Sequence, residues 1–311
     1  MEDNQEQRIF HVPALVDSVL TFLLTDVSGV YVDCTVGGGG HGEAILKRLS
    51  DDGRLVGMDR DGEAIAFCTH RFSSYGDRVQ LIRGEVADVD ILLADAGIDR
   101  VDGFFVDWGV SSYQIDTAER GFSYLMDGPL DMRMDQSAAM CAKDVINDYS
   151  EDGLIRIFWE YGEERLARRI ARKIVDERKH TKIETTGMLA EVVQRVAPPR
   201  FRTKTLSRVF QAIRYEVNEE IKQLCMGLEK MVSFLRKEGR IVVISWESLT
   251  DRMVKRFFRG EEVTFSSREE PMPSGTVRFN VLTRRVVRPS EEEISRNPRA
   301  RSAHLRAAEM R

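Results

Sequence analysis

The run Asp33-Cys34-Thr35-Val36-Gly37-Gly38-Gly39-Gly40-His41-Gly42 is a glycine-rich turn that carries an imidazole near its end. Glycine lacks the Cβ that would hold a ligand off the main chain, so such a loop lets a cofactor approach the backbone closely. An acid roughly 20 positions beyond a loop of this kind can accept hydrogen bonds from ribose hydroxyls. Asp59, followed by Arg60-Asp61, stands in that place. Another acid, Asp107, lies directly before Trp108-Gly109-Val110-Ser111-Ser112-Tyr113-Gln114. Together these residues point to a nucleoside-containing cofactor.

The order of the loop, D-x-T-x-G-x-G-G-H, is not the G-x-G-x-x-G that cradles a pyrophosphate. S-adenosylmethionine (SAM) has no phosphate to cradle and suits the loop better. A nicotinamide-dependent oxidoreductase using the same crevice is the rival enzyme reading, and a tight turn with no ligand is the plain structural one. Asp107 has two candidate roles. It could hold the cofactor, or it could accept an N–H from an exocyclic base amine, aligning a nucleophile whose lone pair is delocalised and offsetting the charge that develops on methylation.

Short β-rich runs must position these side chains. Strands are expected at Val30 to Cys34, Arg54 to Asp59, Val79 to Arg83 and Val101 to Asp107. Helices are expected between them, at His41 to Leu49, Gly62 to Phe72 and Val89 to Ala96. This alternation is the signature of βαβ units and a parallel sheet, whose strand carboxyl ends carry ligands. Strand signals then stop for about a hundred residues. Leu154, Phe158 and Tyr161, then Leu166, Ile170 and Ile174, recur at near-helical spacing, predicting two amphipathic helices broken near Gly162 with Arg165, Arg168, Arg169, Arg172 and Lys173 on a solvated face. A helix over Val217 to Leu235 leads into the buried strand Gly239 to Ser245, and Ser248 to Asp251 has the form of a capping box. Final strands are expected at Val263 to Phe265 and Phe279 to Arg285.

The chain of 311 residues, 42% hydrophobic, can bury a full core. Its net charge of -5, from 46 Lys and Arg against 51 Asp and Glu, argues against a surface built throughout to coat nucleic acid, so any RNA contact must come from local patches. No signal-like or membrane-spanning stretch is present, which predicts a cytoplasmic protein without a membrane partner. Cys34, Cys68, Cys141 and Cys225 form no CxxC pair and are read as reduced core thiols, and no metal cluster is visible.

The chain resembles the RsmH/MraW family of bacterial methyltransferases that act on N4 of a cytosine in the decoding region of small-subunit (16S) rRNA. The resemblance rests on Gly39-Gly40-His41, Asp59-Arg60-Asp61, Asp107 to Gln114, Glu119 to Ser123, Gly128 to Asp135, Gly162 to Arg165, Phe210 to Arg214, Val217-Asn218 and the tail Asn297 to Arg306. It implies a Rossmann-like α/β SAM-dependent methyltransferase sheet from residues 1–117 and 217–311, with an inserted all-helical substrate-recognition domain over 118–216. It also implies SAM contacts at Gly39, Gly40, His41, Asp59, Asp107 and Gln114, with Val86 near the adenine where the family usually has Phe. Trp108, Tyr113 and the stretch Ser245-Trp246-Glu247 also depart from the family pattern. These departures keep open a diverged relative acting on another RNA, or a SAM-binding ribosome-assembly factor without catalysis.

For substrate, Ser111, Ser112 and Arg133 start from the strand end that bears Asp107 and are candidate base-side contacts, while Met132 and Met134 are read as core. From Pro198 to Tyr215 the chain carries Arg200, Arg202, Lys204, Arg208 and Arg214 without an acid, with Phe201 and Phe210 interleaved, which suits phosphate contact and base stacking. A second basic stretch runs from Arg296 to Ala308. The expected partner is small-subunit rRNA or the small-subunit particle, and a homodimer is left open.

Overall fold

The structure is a computed structural model that describes residues 12–261 and 278–311. The expected strand at Val263 to Phe265 lies outside the described residues. The chain forms two compact units, one reaching Gly109 and resuming at Lys222, the other Val110–Ile221. The helical unit therefore starts several residues before the expected boundary at 118 and ends several after 216.

The first unit is a seven-stranded sheet of order β3-β2-β1-β4-β5-β7-β6. Its strands are β1 (Val30–Asp33), β2 (Arg54–Asp59), β3 (Val79–Arg83), β4 (Val101–Trp108), β5 (Leu235–Ser245), β6 (Phe279–Val281) and β7 (His304–Met310). The first five are parallel, with β1 paired to both β2 and β4. A central parallel strand is covered on both faces and so reads as a near-continuous apolar run, as in β4, where Phe104, Phe105 and Val106 are fully buried. The crossovers carry α2 (Gly40–Leu46), α3 (Gly62–Arg71) and α4 (Val89–Asp95), and α1 (Val16–Leu23) precedes β1. The Asp61 carboxylate accepts the Glu63 N–H at 3.0 Å and so caps α3.

The sheet departs from expectation at its far edge. The end of the tail read as a basic stretch, from His304, is a strand: β7 inserts antiparallel between β5 and β6, pairing Ser245 with His304 and Val281 with Ala308. Leu305, Arg306, Ala307 and Ala308 are buried in succession, so the basic character of the tail was a poor guide to its role. Arg306 pairs with Asp251 at 2.7 Å, and Arg296 pairs with Glu292. Strand β6 covers only the first part of the expected Phe279 to Arg285.

The second unit is helical: α5 (Ser112–Asp116), α6 (Ala142–Asp148), α7 (Glu151–Glu160), α8 (Ala167–Arg178), α9 (Thr186–Val196) and α10 (Arg202–Val217). The predicted break near Gly162 separates α7 from α8, whose buried Ile170 and Ile174 join Leu154, Ile157 and Phe158 in one core. Met132 and Met134 belong to that core as read from the sequence.

Three further helices lie among the described residues: α11 (Glu220–Phe234), α12 (Ser248–Phe258) and α13 (Glu291–Arg296). The capping box expected at Ser248 is not formed, because the N-cap of α12 is Glu247 and its side chain makes no capping bond. No helix among the described residues is long and apolar enough to cross a membrane.

Candidate active site

Parallel strands in register bring three carboxylates to one edge of the first unit. Asp33 ends β1, Asp59 ends β2, and Asp107 lies one residue from the end of β4. The glycine loop leaves β1 among them. The N–H of Gly37 donates to Asp59 Oδ2 at 2.9 Å, and that of Asp61 to Asp59 Oδ1 at 2.9 Å. Gly39 has a φ of 77°, and a Cβ there would stand 2.7 Å from Phe72 Cζ, so this position needs glycine both for its conformation and for its space.

Asp107 is tied to the same loop, because its main-chain N–H donates to Thr35 Oγ1 at 2.7 Å. Its Oδ1 accepts the indole N–H of Trp246 at 2.9 Å, and its Oδ2 stands 3.7 Å from Nδ1 of the buried His41. The other ring nitrogen of His41 lies 2.8 Å from the Ala14 carbonyl oxygen. A carbonyl only accepts, so Nε2 carries a proton and the ring orientation is set from outside the crevice.

Burial dominates the electrostatics. Asp33 is pushed up to about 8 by its burial, against the pull of the Thr35 N–H, and the Asp107 and Asp59 carboxylates push it further. Its Oδ2 has no hydrogen-bond partner among the described residues. Burial likewise raises Asp59 to about 6, with the Asp61 and Gly37 N–H groups pulling it back. The carboxylates of Asp59 and Asp107 beside the glycine loop suit a ligand that carries positive charge and hydroxyl donors. The sulfonium and ribose of SAM have that chemistry, and the residues that would hold them are Gly39, Gly40, His41, Asp59 and Asp107.

A family profile matches residues 8–311, essentially the whole length on which this geometry is built. The chain belongs to the MraW methylase family. It is 46% identical over 304 residues to the ribosomal RNA small subunit methyltransferase H of Kosmotoga olearia, covering 96% of this chain and 97% of that one. The protein of the same name from Geotalea uraniireducens is 45% identical over 305 residues, covering 96% and 98%. That from Syntrophotalea carbinolica is 47% identical over 303 residues, covering 96% of each. A crystal structure titled as a putative rRNA-methylase from Clostridium thermocellum aligns over 95% of each chain at 13% identity, with a TM-score of 0.42.

In this methylase-family chain the remaining predicted residues fall into distinct settings. Val86 does follow β3, but its side chain is buried against Gly227 of α11, so packing occupies it. Trp108 is buried, with an indole nitrogen that has no partner among the described residues.

Within the helical unit, Ser111 and Gln114 cap α5 reciprocally: Ser111 Oγ accepts the Gln114 N–H at 3.2 Å, and Gln114 Oε1 accepts the Ser111 N–H at 3.1 Å. Ser112 is buried in the first turn. Arg133 is committed to its own loop, with Nη2 2.6 Å from Asp131 Oδ2 and Nη1 2.8 Å from the Ala138 carbonyl. It shapes the loop rather than presenting a free cation.

The basic segment divides in the same way. Arg214 is 8% exposed and bidentate to Glu220, a buried ion pair where the sequence suggested an exposed cation. Arg208 faces Glu164 at 3.8 Å, and Phe210 is buried. Arg200, Phe201, Arg202 and Lys204 are exposed, and the Arg200 guanidinium lies 4.6 Å from the centre of the Phe201 ring.

Sequence reasoning assigned no role to Asp33, Thr35, Trp246 or Asn218. Asn218 is buried and holds the loop of the two core methionines: its Oδ1 accepts the Met134 N–H and its Nδ2 donates to the Met132 carbonyl, both at 2.8 Å. The signal available was its place in the Val217-Asn218 marker, which gave no partner.

Proposed function

We propose that this chain is a SAM-dependent methyltransferase that modifies N4 of a cytosine in the decoding region of small-subunit ribosomal RNA. The observation that carries this reading is the Asp107 carboxylate at the end of β4, bound through its main chain to Thr35 of the glycine loop. The chain around it matches small-subunit rRNA methyltransferases over 96% of its length.

SAM, when bound, supplies an electrophilic methyl group on a positively charged sulfur. Gly39, Gly40 and His41 line its approach, and Asp59 accepts from the ribose. A cytosine amine attacks poorly because its lone pair is shared with the ring. Asp107 accepts one amine N–H, aligns the nitrogen and offsets the positive charge that grows as the N–C bond forms. The nitrogen then loses that proton, and the same carboxylate is placed to take it. The base must be unpaired or swung out of its stack first. Residues 110–221 serve as the RNA-recognition part, with Arg200, Phe201, Arg202 and Lys204 as its exposed phosphate and base contacts.

The test combines purified protein, SAM and small ribosomal subunits from cells lacking the enzyme, followed by mass spectrometry of the digested RNA. Gain of N4-methylcytidine is expected. Its absence with SAM binding intact would overturn the reading in favour of another RNA substrate or a non-catalytic assembly role.

A further inference from the structure

Asp107 is held by two hydrogen bonds within its own unit and faced by a third group. Thr35 Oγ1 holds its main-chain N–H, the Trp246 indole N–H holds Oδ1, and His41 Nδ1 faces Oδ2. Trp246 directly follows Ser245, which is paired with Trp108, so the indole is delivered from the neighbouring strand end. The space for it depends on Gly109, where a Cβ would lie 2.7 Å from Trp246 Cδ1.

A carboxylate has two equivalent oxygens and turns about its last bond, so an unheld one presents either to an incoming donor. One fixed donor removes the equivalence. With Oδ1 engaged by the indole, Oδ2 receives no hydrogen bond from the described residues and is the oxygen left for a ligand. Methyl transfer depends on donor and acceptor being held in line, and a small rotation of the group that holds the acceptor misaligns it.

We propose that Trp246 is a positioning residue for methyl transfer, its indole N–H orienting the Asp107 carboxylate so that Oδ2 receives the acceptor amine. The proposal rests on the reading of Asp107 given above. Trp246 acts through Asp107 and touches neither substrate nor cofactor in this role.

The test uses the full-length protein with W246F, which keeps an aromatic ring without the N–H, and W246H, which restores a ring N–H. Turnover on unmethylated small subunits is measured with the KM for that substrate, and SAM affinity is measured separately by calorimetry. W246F is expected to lower kcat about 10-fold to 100-fold, the loss that one hydrogen bond to a charged group brings. KM and SAM affinity stay within about twofold, because the contacts that bind are kept. W246H recovers part of the loss, and W246F adds little further loss on a D107N background, since the two act as a unit. Wild-type kcat in W246F, or a loss wholly in KM or in SAM affinity, or equal loss in W246F and W246H, would overturn the proposal. If D107N is inactive while W246F is normal, only the role of Trp246 falls; if D107N turns over normally, the reading of Asp107 falls with it.

Discussion

Arg214 and Glu220 form a closed ion pair inside the helical unit, Nε to Oε1 at 2.7 Å and Nη2 to Oε2 at 3.1 Å, with side chains 9% and 2% exposed. Removing one partner strands the other charge away from water. Arg214→Ala or Glu220→Ala should therefore cost about 3–5 kcal/mol in urea unfolding, whereas the apolar double replacement R214M with E220L should cost far less. Single variants as stable as the parent would show that the pair is dispensable.

Asp33 makes stability depend on pH. Its folded value of about 8 lies above the usual 3.8, so the fold favours the protonated acid; that contribution is complete below about 4 and is lost as pH rises towards 8. Asp33→Asn has no proton to lose. The Asn variant should gain on the parent in melting temperature as pH climbs from 5 to 8.5, and parallel curves would refute an ionising Asp33.

SAM affinity should rise with pH through about 6, where buried Asp59 becomes the carboxylate that accepts from ribose hydroxyls. Calorimetry between pH 5 and 7.5 would see the rise. Asp59→Asn should bind more weakly at neutral pH and lose that part of the slope, whereas a slope unchanged in the variant would move its origin elsewhere.

The exposed cations at the start of α10 should govern the salt dependence of RNA binding. Arg202→Gln and Lys204→Gln should each reduce the slope of log affinity against log salt by about 1. Filter binding across a salt series reads this directly, and an unchanged slope in both variants would remove this face from the RNA interface.

Local patterns made much of the first unit legible. Strands β1 to β4 and the helices between them follow from alternating apolar and helical runs, and the carboxylates Asp59 and Asp107 follow from their places at strand ends. Strand β7, between β5 and β6, was hidden because the arginines of the stretch Arg296 to Ala308 drew attention from the short apolar run within it. The cap of α12 was misplaced by one residue: Ser248 is the better capping side chain, but the backbone starts the helix at Ser248 and leaves Glu247, which makes no capping bond, in the cap position.

By itself the amino-acid sequence determined the class of sheet, the glycine loop and the order of the strand-end acids, because each depends on residues close together in the chain. Tertiary structure alone decided what those side chains meet. Arg214, spaced like a surface cation, is buried on Glu220, and Arg133 is turned onto Asp131. Trp246, 139 positions from Asp107, reaches its carboxylate only because β4 and β5 lie side by side. Burial is a property of the packed neighbours around a side chain, and it selects the partner whether that partner is two positions away, as for Arg133, or 139, as for Trp246.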